Sequence, residues 1–314
     1  MTGGTIISMV ILAGVTLLPG RTVARAEQAP AARFTSSVDV VSVAAVVRDR
    51  KGRFVRDLSR DDFMIVEGGQ SRTILDFRRQ ADGPVKLALL VDVSGSMRMG
   101  GKAVDARQAA EHVFFGMRKD DQAAVFTFDS SLRQVLDFTS DRRKLEAALD
   151  AVEQPFGQTS LYDAVAATAN TVVGTDPGRR KLPHRAAVVV LTDGVDTKSR
   201  LSPAQMTAIA SSIDVPVYIV AVLSLVDDPR EMDRQKSSAE ADLEALAQRT
   251  DGELFMASAP AHASLAARQI LGELRHQYLL AFEASALPGW RPLEVRARDG
   301  DLVVRARSGY TVGG

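Results

Sequence analysis

Side chains that carry oxygen follow the first long apolar run of the chain. Asp92, Ser94 and Ser96 alternate along the segment DVSGS, which comes almost directly after LALLV. At this spacing their oxygens point to one side of a locally extended loop, and carboxylate and hydroxyl oxygens suit Mg²⁺ or Mn²⁺. One carboxylate is too little charge for a divalent ion, so we expect a second carboxylate and another hydroxyl on neighbouring loops. Asp193, which ends AAVVVLTD, and Thr159 in GQTSLYDAV meet that expectation.

Two other chemistries could use the same loop. A phosphate-binding loop G-x-x-x-x-G-K-[ST] aligns best with SMRMGGKA, where Ser96 replaces the first glycine and Ala103 replaces the hydroxyl residue. A phosphoryl-transfer aspartate usually has a second carboxylate two residues later, but Ser94 occupies that position. Ser and Asp before a helix also serve as helix caps. The combination of the three segments in this order favours the metal site.

The segments around these residues alternate short apolar runs with amphipathic windows from Val85 to about Leu271. This alternation predicts a doubly wound, mostly parallel α/β sheet with helices on both faces. The predicted strands are LALLVDV, AAVFTF, AAVVVLTD, VPVYIVAV and ELFMA, and LRQVLDF is expected to be an antiparallel edge strand. Helical spacing appears in residues 103–117, 161–173, 203–213 and 239–248. Ligands of such sheets bind at the carboxyl ends of the strands, where the DVSGS loop is expected to lie.

Both ends of the chain have the alternating pattern of β-strands instead. Residues 37–79 and 277–311 show this pattern, and neither piece is large enough to bury a core alone. We therefore expect them to pack together as one small β-sandwich from which the α/β domain is inserted. The predicted organisation is as follows: signal peptide 1–26, flexible lead-in 27–36, N-terminal β unit 37–83, α/β domain 84–272 and C-terminal strands 273–314.

The N-terminal segment and the composition bear on localisation and partners. Residues 5–19 form an apolar run of signal-peptide length, and Ala24-Arg25-Ala26 supplies a cleavage site, although no Lys or Arg precedes the run. We expect a secreted or periplasmic protein, with membrane contact only if this segment is retained. The net charge of zero argues against general affinity for nucleic acid, and the absence of cysteine excludes disulfides and thiolate metal sites.

The three polar segments together resemble a known family. DVSGS, the Thr of GQTSLYDA and the Asp of VVVLTDGVD are similar to the metal-ion-dependent adhesion site of von Willebrand factor type A domains, over about residues 84–265. The resemblance implies a Rossmann-like fold and Mg²⁺ or Mn²⁺ bound by a set of five residues, with a partner carboxylate completing the octahedron. That set is Asp92, Ser94, Ser96, Thr159 and Asp193. The flanks VVRDRKGRFVRDLSRDDFMIVEGGQSRTILDF, RHQYLLAF and VRARSGY resemble a bacterial group described as VWFA-related.

Residues beside the metal motif could select a partner or only support the loops. Met97, Arg98 and Met99 in the first loop and Phe156, Gln158 and Ser160 in the second are candidates for the rim. Met97 and Phe156 could equally pack the loops, since Met and Phe often fill gaps. Asp129 and Asp196 are either further acceptors near the ion or caps of turns and helices, and we predict neither as a ligand.

These observations favour one function and leave two alternatives. The leading hypothesis is an exported, non-catalytic protein-binding module whose divalent cation bridges to an Asp or Glu of another protein. A metal-dependent hydrolase or phosphatase on the same scaffold is the first alternative, but no general acid or base stands at Ser94, and no HExxH or G-x-S-x-G motif occurs. The second alternative is a structural protein with a relic metal site.

Overall fold

A computed structural model describes most of the chain. It covers residues 40–79, 83–173, 185–194, 196–213, 215–222, 240–285 and 287–312. The predicted signal peptide and lead-in lie outside these residues. Within the described ranges, no helix has both the length and the apolarity that crossing a membrane requires.

The chain enters the fold through four short strands. They are β1 (Val40–Arg48), β2 (Phe63–Glu67), β3 (Gln70–Arg72) and β4 (Ile74–Arg79). β1 and β2 alternate between buried and more exposed residues over much of their length, as expected for strands with one face on a core. The turn Glu67–Gln70 joins β2 to β3 as predicted, but the chain then leaves that sheet, because β4 pairs with a strand near the C-terminus.

A six-stranded sheet forms the centre of the α/β part. Its strands are β5 (Lys86–Asp92), β6 (Gln122–Phe128), β7 (Leu132–Thr139), β8 (Ala186–Thr192), β9 (Val217–Val222) and β10 (Leu254–Ala257). The spatial order is β10-β9-β8-β5-β6-β7, and all neighbours are parallel except β6 and β7. β7 is the antiparallel edge strand that the sequence predicted.

Helices cover both faces of this sheet. They are α1 (Lys102–Gly116), α2 (Arg142–Asp150), α3 (Leu161–Val173), α4 (Pro203–Ile213), α5 (described over 240–249) and α6 (Pro260–Arg275). Side chains of β5 alternate between the two layers: Leu87 and Leu89 pack with α1, α2 and α6, whereas Ala88 and Leu90 pack with α3, α4 and α5. Burial on both faces explains why these strands are continuous apolar runs.

Four C-terminal strands complete two smaller sheets. They are β11 (Gln277–Glu283), β12 (Gly289–Ala297), β13 (Val303–Ala306) and β14 (Gly309–Val312). The sheet orders are β13-β1-β11-β4 and β14-β12-β2-β3, so each sheet combines strands from both ends of the chain. Their facing side chains form one apolar cluster that includes Val43, Phe63, Tyr278 and Leu293.

The observed architecture confirms the predicted fold class. A mostly parallel, doubly wound sheet is inserted between two sets of strands that pack as a small sandwich, and residues 38–314 form one compact unit. The predicted domain boundary at residue 272 falls inside α6, because the helix continues to Arg275. Two helices, α2 and α6, and the last strand, β14, were not predicted.

Candidate metal centre

Two neighbouring parallel strands carry the two acidic residues of the centre. β5 ends at Asp92, and β8 ends at Thr192, one residue before Asp193. The two strands pair in parallel with Val91 opposite Leu191, so both loops leave the same edge of the sheet. The predicted carboxylates therefore lie at the carboxyl ends of adjacent strands, where α/β sheets bind ligands.

The DVSGS loop folds back on its own aspartate. The backbone N–H of Ser94 donates to Asp92 Oδ1 at 2.8 Å, and the hydroxyl oxygens of Ser94 and Ser96 lie 3.1 Å apart. A short 3₁₀ turn over Gly95–Arg98 keeps Ser96 close to Ser94. The loop thus brings one carboxylate and two hydroxyls together, as the i, i+2, i+4 spacing predicted.

Asp193 lies beside a lysine that the sequence analysis did not assign to the site. Lys102 Nζ is 3.2 Å from Asp193 Oδ2, and the two side chains are only 7% and 4% exposed. The other carboxylate oxygen, Asp193 Oδ1, is buried without a hydrogen-bond partner in the described part of the chain. A buried carboxylate oxygen without a donor is costly, so this atom is suited to receive a cation.

The electrostatics of Asp92 also favour a bound cation. Burial raises its pKa to about 6, although hydrogen bonds from Thr192 and Ser94 act in the opposite direction. The negative charge of Asp193 raises it further, which places the two carboxylates within electrostatic reach of each other. Two such buried carboxylates are more stable in their ionised forms when a cation lies between them.

A third loop, after α2, is tied to both of the others. Gly95 N–H donates to Gly157 O at 2.9 Å, and Thr159 N–H donates to the Thr197 hydroxyl, also at 2.9 Å. Gly157 has a φ of 94°, a conformation that side chains disfavour, and a Cβ on Gly95 would come within 3.1 Å of the Gly157 carbonyl oxygen. These close approaches hold buried Thr159 at the same edge of the sheet.

The two further aspartates that the sequence left open serve turns and a helix end. Asp196 Oδ1 accepts hydrogen bonds from Leu161 N–H at 2.8 Å and from the Ser199 hydroxyl at 2.6 Å, which caps the N-terminus of α3. Asp129 Oδ1 accepts from Ser131 N–H at 2.8 Å within a turn. These contacts favour the interpretation of both residues as caps.

The candidate rim residues divide into buried and exposed groups. Met97 is fully buried in the apolar cluster beside α1, so it packs the loop. Met99 is 59% exposed and Phe156 is 76% exposed. Arg98 and Gln158 are also exposed, whereas Ser160 is buried. Large exposed apolar side chains beside a polar site are typical of surfaces that bind another protein.

Sequence reasoning missed two residues that shape the centre. Thr192 donates its hydroxyl to Asp92 Oδ2 at 2.6 Å, and Lys102 contacts Asp193 as described above. Thr192 is the one polar residue of the otherwise apolar strand AAVVVLT, which was a usable signal. Lys102 had been considered only as part of a failed phosphate-binding motif.

The chemistry of the donor set fits a hard divalent cation. In the residues that the structure describes, no three His, Cys, Asp or Glu side chains come together. A metal held here would therefore depend on hydroxyl oxygens as well as the two carboxylates, which suits Mg²⁺ or Mn²⁺.

Comparison with known proteins identifies the central domain. Residues 87–195 match the family model described as von Willebrand factor type A domain. The matched segment includes all three polar segments of the centre. No curated protein matches the chain.

Solved structures with a related arrangement include three with informative descriptions. A von Willebrand factor type A protein from Catenulispora acidiphila is 13% identical, with 87% of this chain and 74% of that chain covered and a TM-score of 0.48. An aerotolerance-related membrane protein from Bacteroides fragilis is 18% identical, with 60% and 99% covered and a TM-score of 0.45. Proximal thread matrix protein 1 from the mussel byssus, described with a zinc-occupied MIDAS motif, is 13% identical, with 63% and 50% covered and a TM-score of 0.46. On the strength of the family match, the chain contains a von Willebrand factor type A domain.

Proposed function

We propose that this protein is an exported, non-catalytic module that binds another protein through a divalent cation. Mg²⁺ or Mn²⁺ is held by the oxygens of five residues: Asp92, Ser94, Ser96, Thr159 and Asp193. Five protein ligands leave at least one coordination position to water, and an Asp or Glu carboxylate of the partner replaces that water. Such a contact is directional and stronger than an ordinary surface ion pair.

The observation that carries this proposal is the unpartnered oxygen of Asp193. Asp193 Oδ1 is buried without a donor in the described residues, beside a second buried carboxylate whose pKa burial raises to about 6. Polar atoms in such positions are normally satisfied. A bound cation supplies what both carboxylates lack.

The surface around the centre supports a protein as the partner. Met99 and Phe156 project from the two loops that flank the predicted ion, and both side chains are mostly exposed. A partner that offers a carboxylate to the ion would cover these apolar groups as it binds. Their burial adds affinity to the metal contact.

Export forms a separate part of the proposal. It rests on the apolar run at residues 5–19 and the small residues at 24–26. Expression of the full chain in a bacterial host, followed by N-terminal sequencing of the periplasmic and secreted protein, tests it. A mature chain that begins at Glu27 supports export with cleavage, and an intact N-terminus in the cytoplasm contradicts it.

The metal-binding part is tested by calorimetric titration of Mg²⁺ and Mn²⁺ into the purified protein, beside Asp193→Ala. We expect saturable binding by the wild type and none by the variant. Thermal stability should rise with metal in the wild type alone, since a ligand of the native state stabilises it. No binding at about 10 mM, where an incomplete coordination shell still binds weakly, would contradict the proposal.

A buried carboxylate at the opposite end of the sheet provides the matched control. Asp121 precedes β6, accepts a hydrogen bond from Val85 N–H at 2.8 Å and pairs with Arg275. Asp121→Asn should lose stability but keep the metal titration. Turnover of a phosphoester panel in the presence of metal would contradict the non-catalytic role.

A further inference from the structure

The position of Lys102 is unfavourable for a lysine on two counts. It is the first residue of α1, where the positive end of the helix dipole disfavours a cation. Its side chain is also only 7% exposed, although lysine is rarely buried unless it is paired. A lysine held in such a place needs a compensating interaction, and the ion pair with Asp193 supplies one.

The geometry of that ion pair leaves the carboxylate half used. Lys102 Nζ lies 3.2 Å from Asp193 Oδ2, while Asp193 Oδ1 has no hydrogen-bond partner in the described residues. The ammonium group can therefore stay on one oxygen while the other oxygen faces a metal ion. Lys102 and the metal need not exclude each other.

We propose that Lys102 is a built-in second cation of the metal centre, one that makes the loaded centre selective for an anionic partner group. This inference rests on the proposed function. Asp92 and Asp193 contribute two negative charges and Lys102 one positive charge, so a divalent ion changes the local charge from −1 to +1. Without Lys102 the loaded centre would be neutral.

A buried net positive charge has two opposite consequences. It weakens the binding of the metal ion, because the ammonium and the ion repel each other at short range. It also strengthens the binding of an anion to the loaded centre, because a carboxylate brings the local charge to zero. Lys102 thus trades metal affinity for the requirement that the last ligand be anionic.

The test compares Lys102→Met with the wild type, with Mn²⁺ as the metal and acetate as the probe for a partner carboxylate. Mn²⁺ affinity is measured by calorimetry, and displacement of manganese-bound water by acetate is measured by water proton relaxation. We expect the variant to bind Mn²⁺ roughly tenfold more tightly and to need roughly tenfold more acetate.

Three further variants separate charge from folding and from shape. Lys102→Arg keeps the charge and should match the wild type in both titrations. Lys102→Gln removes the charge but keeps a polar side chain, so it replaces the Met variant if that one does not fold. Lys86→Met removes a half-buried lysine from the opposite end of β5 and should change neither titration.

The outcomes distinguish this inference from the function on which it rests. If the wild type binds no Mn²⁺, both are overturned. If the wild type binds Mn²⁺ but the uncharged variants have the same or weaker Mn²⁺ affinity, or bind acetate as tightly as the wild type, only the role of Lys102 is overturned. Tighter Mn²⁺ binding together with weaker acetate binding supports it.

Discussion

At the scale of single residues, the centre depends on side chains that are not predicted ligands. Thr192 donates to Asp92 Oδ2 at 2.6 Å and accepts from Gly194 N–H at 3.0 Å. One hydroxyl therefore positions the first aspartate and the start of the loop that carries Asp193. Ligands that are oriented by such contacts bind metals more tightly than free side chains do.

Replacement of Thr192 by Val tests this positioning role. Val keeps the shape of the buried strand but removes the hydroxyl, so Asp92 Oδ2 and Gly194 N–H both lose their partner. We expect Mg²⁺ affinity to fall roughly tenfold, the lower end of what second-shell changes usually cost. The free energy of unfolding should fall by about 1–3 kcal/mol. Calorimetric titration and urea denaturation measure the two effects.

Thr192→Ser is the matched control, because it keeps the hydroxyl and removes only a methyl group. Its Mg²⁺ affinity should stay close to that of the wild type. Equal Mg²⁺ binding by the Val variant would show that Asp92 needs no positioning by Thr192.

At the scale of elements, one glycine controls how α5 turns into β10. Gly252 N–H donates to Ala247 O at 2.7 Å, and a Cβ at Gly252 would lie 1.9 Å from the carbonyl oxygen of Val217 in β9. That oxygen belongs to backbone and cannot move aside alone. Any larger residue here must displace a central strand or unwind the turn.

Gly252→Ala should therefore destabilise the protein strongly, by about 3 kcal/mol, the upper part of the usual range for overpacking. Gly300→Ala is the control, since an added Cβ there meets no atom within 4 Å. Thermal unfolding of both variants gives the comparison. Equal melting temperatures would mean that the α5–β10 turn adapts at little cost.

Within the sandwich, Glu67 joins three elements through a buried carboxylate. Arg72 Nε donates to Glu67 Oε2 at 2.7 Å, and the Tyr310 hydroxyl and Ser285 N–H donate to Oε1. Burial opposes ionisation, but the hydrogen bonds from Tyr310, Ser285 and Arg72 outweigh it, so the pKa of Glu67 lies below its usual value. The ionised form is the one that the fold selects.

This lowered pKa gives stability a defined pH dependence. Unfolded glutamate titrates at about 4.3, so the contribution of Glu67 is fully present above that pH and is lost as the pH falls through the lower folded value. Glu67→Gln should cost about 3 kcal/mol at pH 7, because it breaks a buried ion pair. The difference from the wild type should shrink below about pH 4.

Urea denaturation at several pH values measures that difference. Glu294→Gln, which removes an exposed carboxylate from the neighbouring strand β12, is the control and should have little effect at any pH. A Glu67→Gln penalty that does not change with pH would show that packing, and not ionisation, accounts for the effect.

Local patterns predicted most elements but not all of their partners. Continuous apolar runs marked five strands of the central sheet, because burial on both faces imposes that pattern. α2 and α6 escaped prediction because their buried faces are short or built largely of alanine, as with Ala263, Ala266 and Ala267 in α6. The pairing of β1 with β11, more than 200 residues apart, depends on tertiary packing and has no local signal.

The same limit applies to the candidate centre. The motif spacing led to Asp92, Ser94 and Ser96, because neighbours along a loop are neighbours in space. Lys102 reaches Asp193 across 91 positions of sequence. Such a contact arises only when α1 packs beside β8, so no sequence pattern announced it.

At the scale of the whole molecule, one buried glutamate connects the α/β part to the sandwich. Glu273 in α6 is fully buried and pairs with Arg48 of β1 at 2.6 Å and with Arg305 of β13. Arg305 also donates to the carbonyl oxygens of Asp251 and Gly252. The two layers of structure therefore share one charged cluster, in which each arginine depends on the same carboxylate.

This shared cluster leads us to expect that the two parts unfold together. The single tryptophan, Trp290, lies in β12 and reports on the sandwich by fluorescence, whereas helical circular dichroism reports mainly on the α/β part. In the wild type the two signals should give coincident urea transitions. Glu273→Gln removes the charge from a buried ion pair and should lower the stability by about 3 kcal/mol.

The separation of the two signals is the decisive measurement. Loss of the shared carboxylate weakens the connection more than either core, so the tryptophan and helix transitions of Glu273→Gln should no longer coincide. Glu244→Gln, on the exposed side of α5, is the control and should leave them coincident. If the Glu273 variant unfolds in one transition at a lower urea concentration, the cluster contributes stability, but the apolar contacts between the two parts are sufficient to make them one cooperative unit.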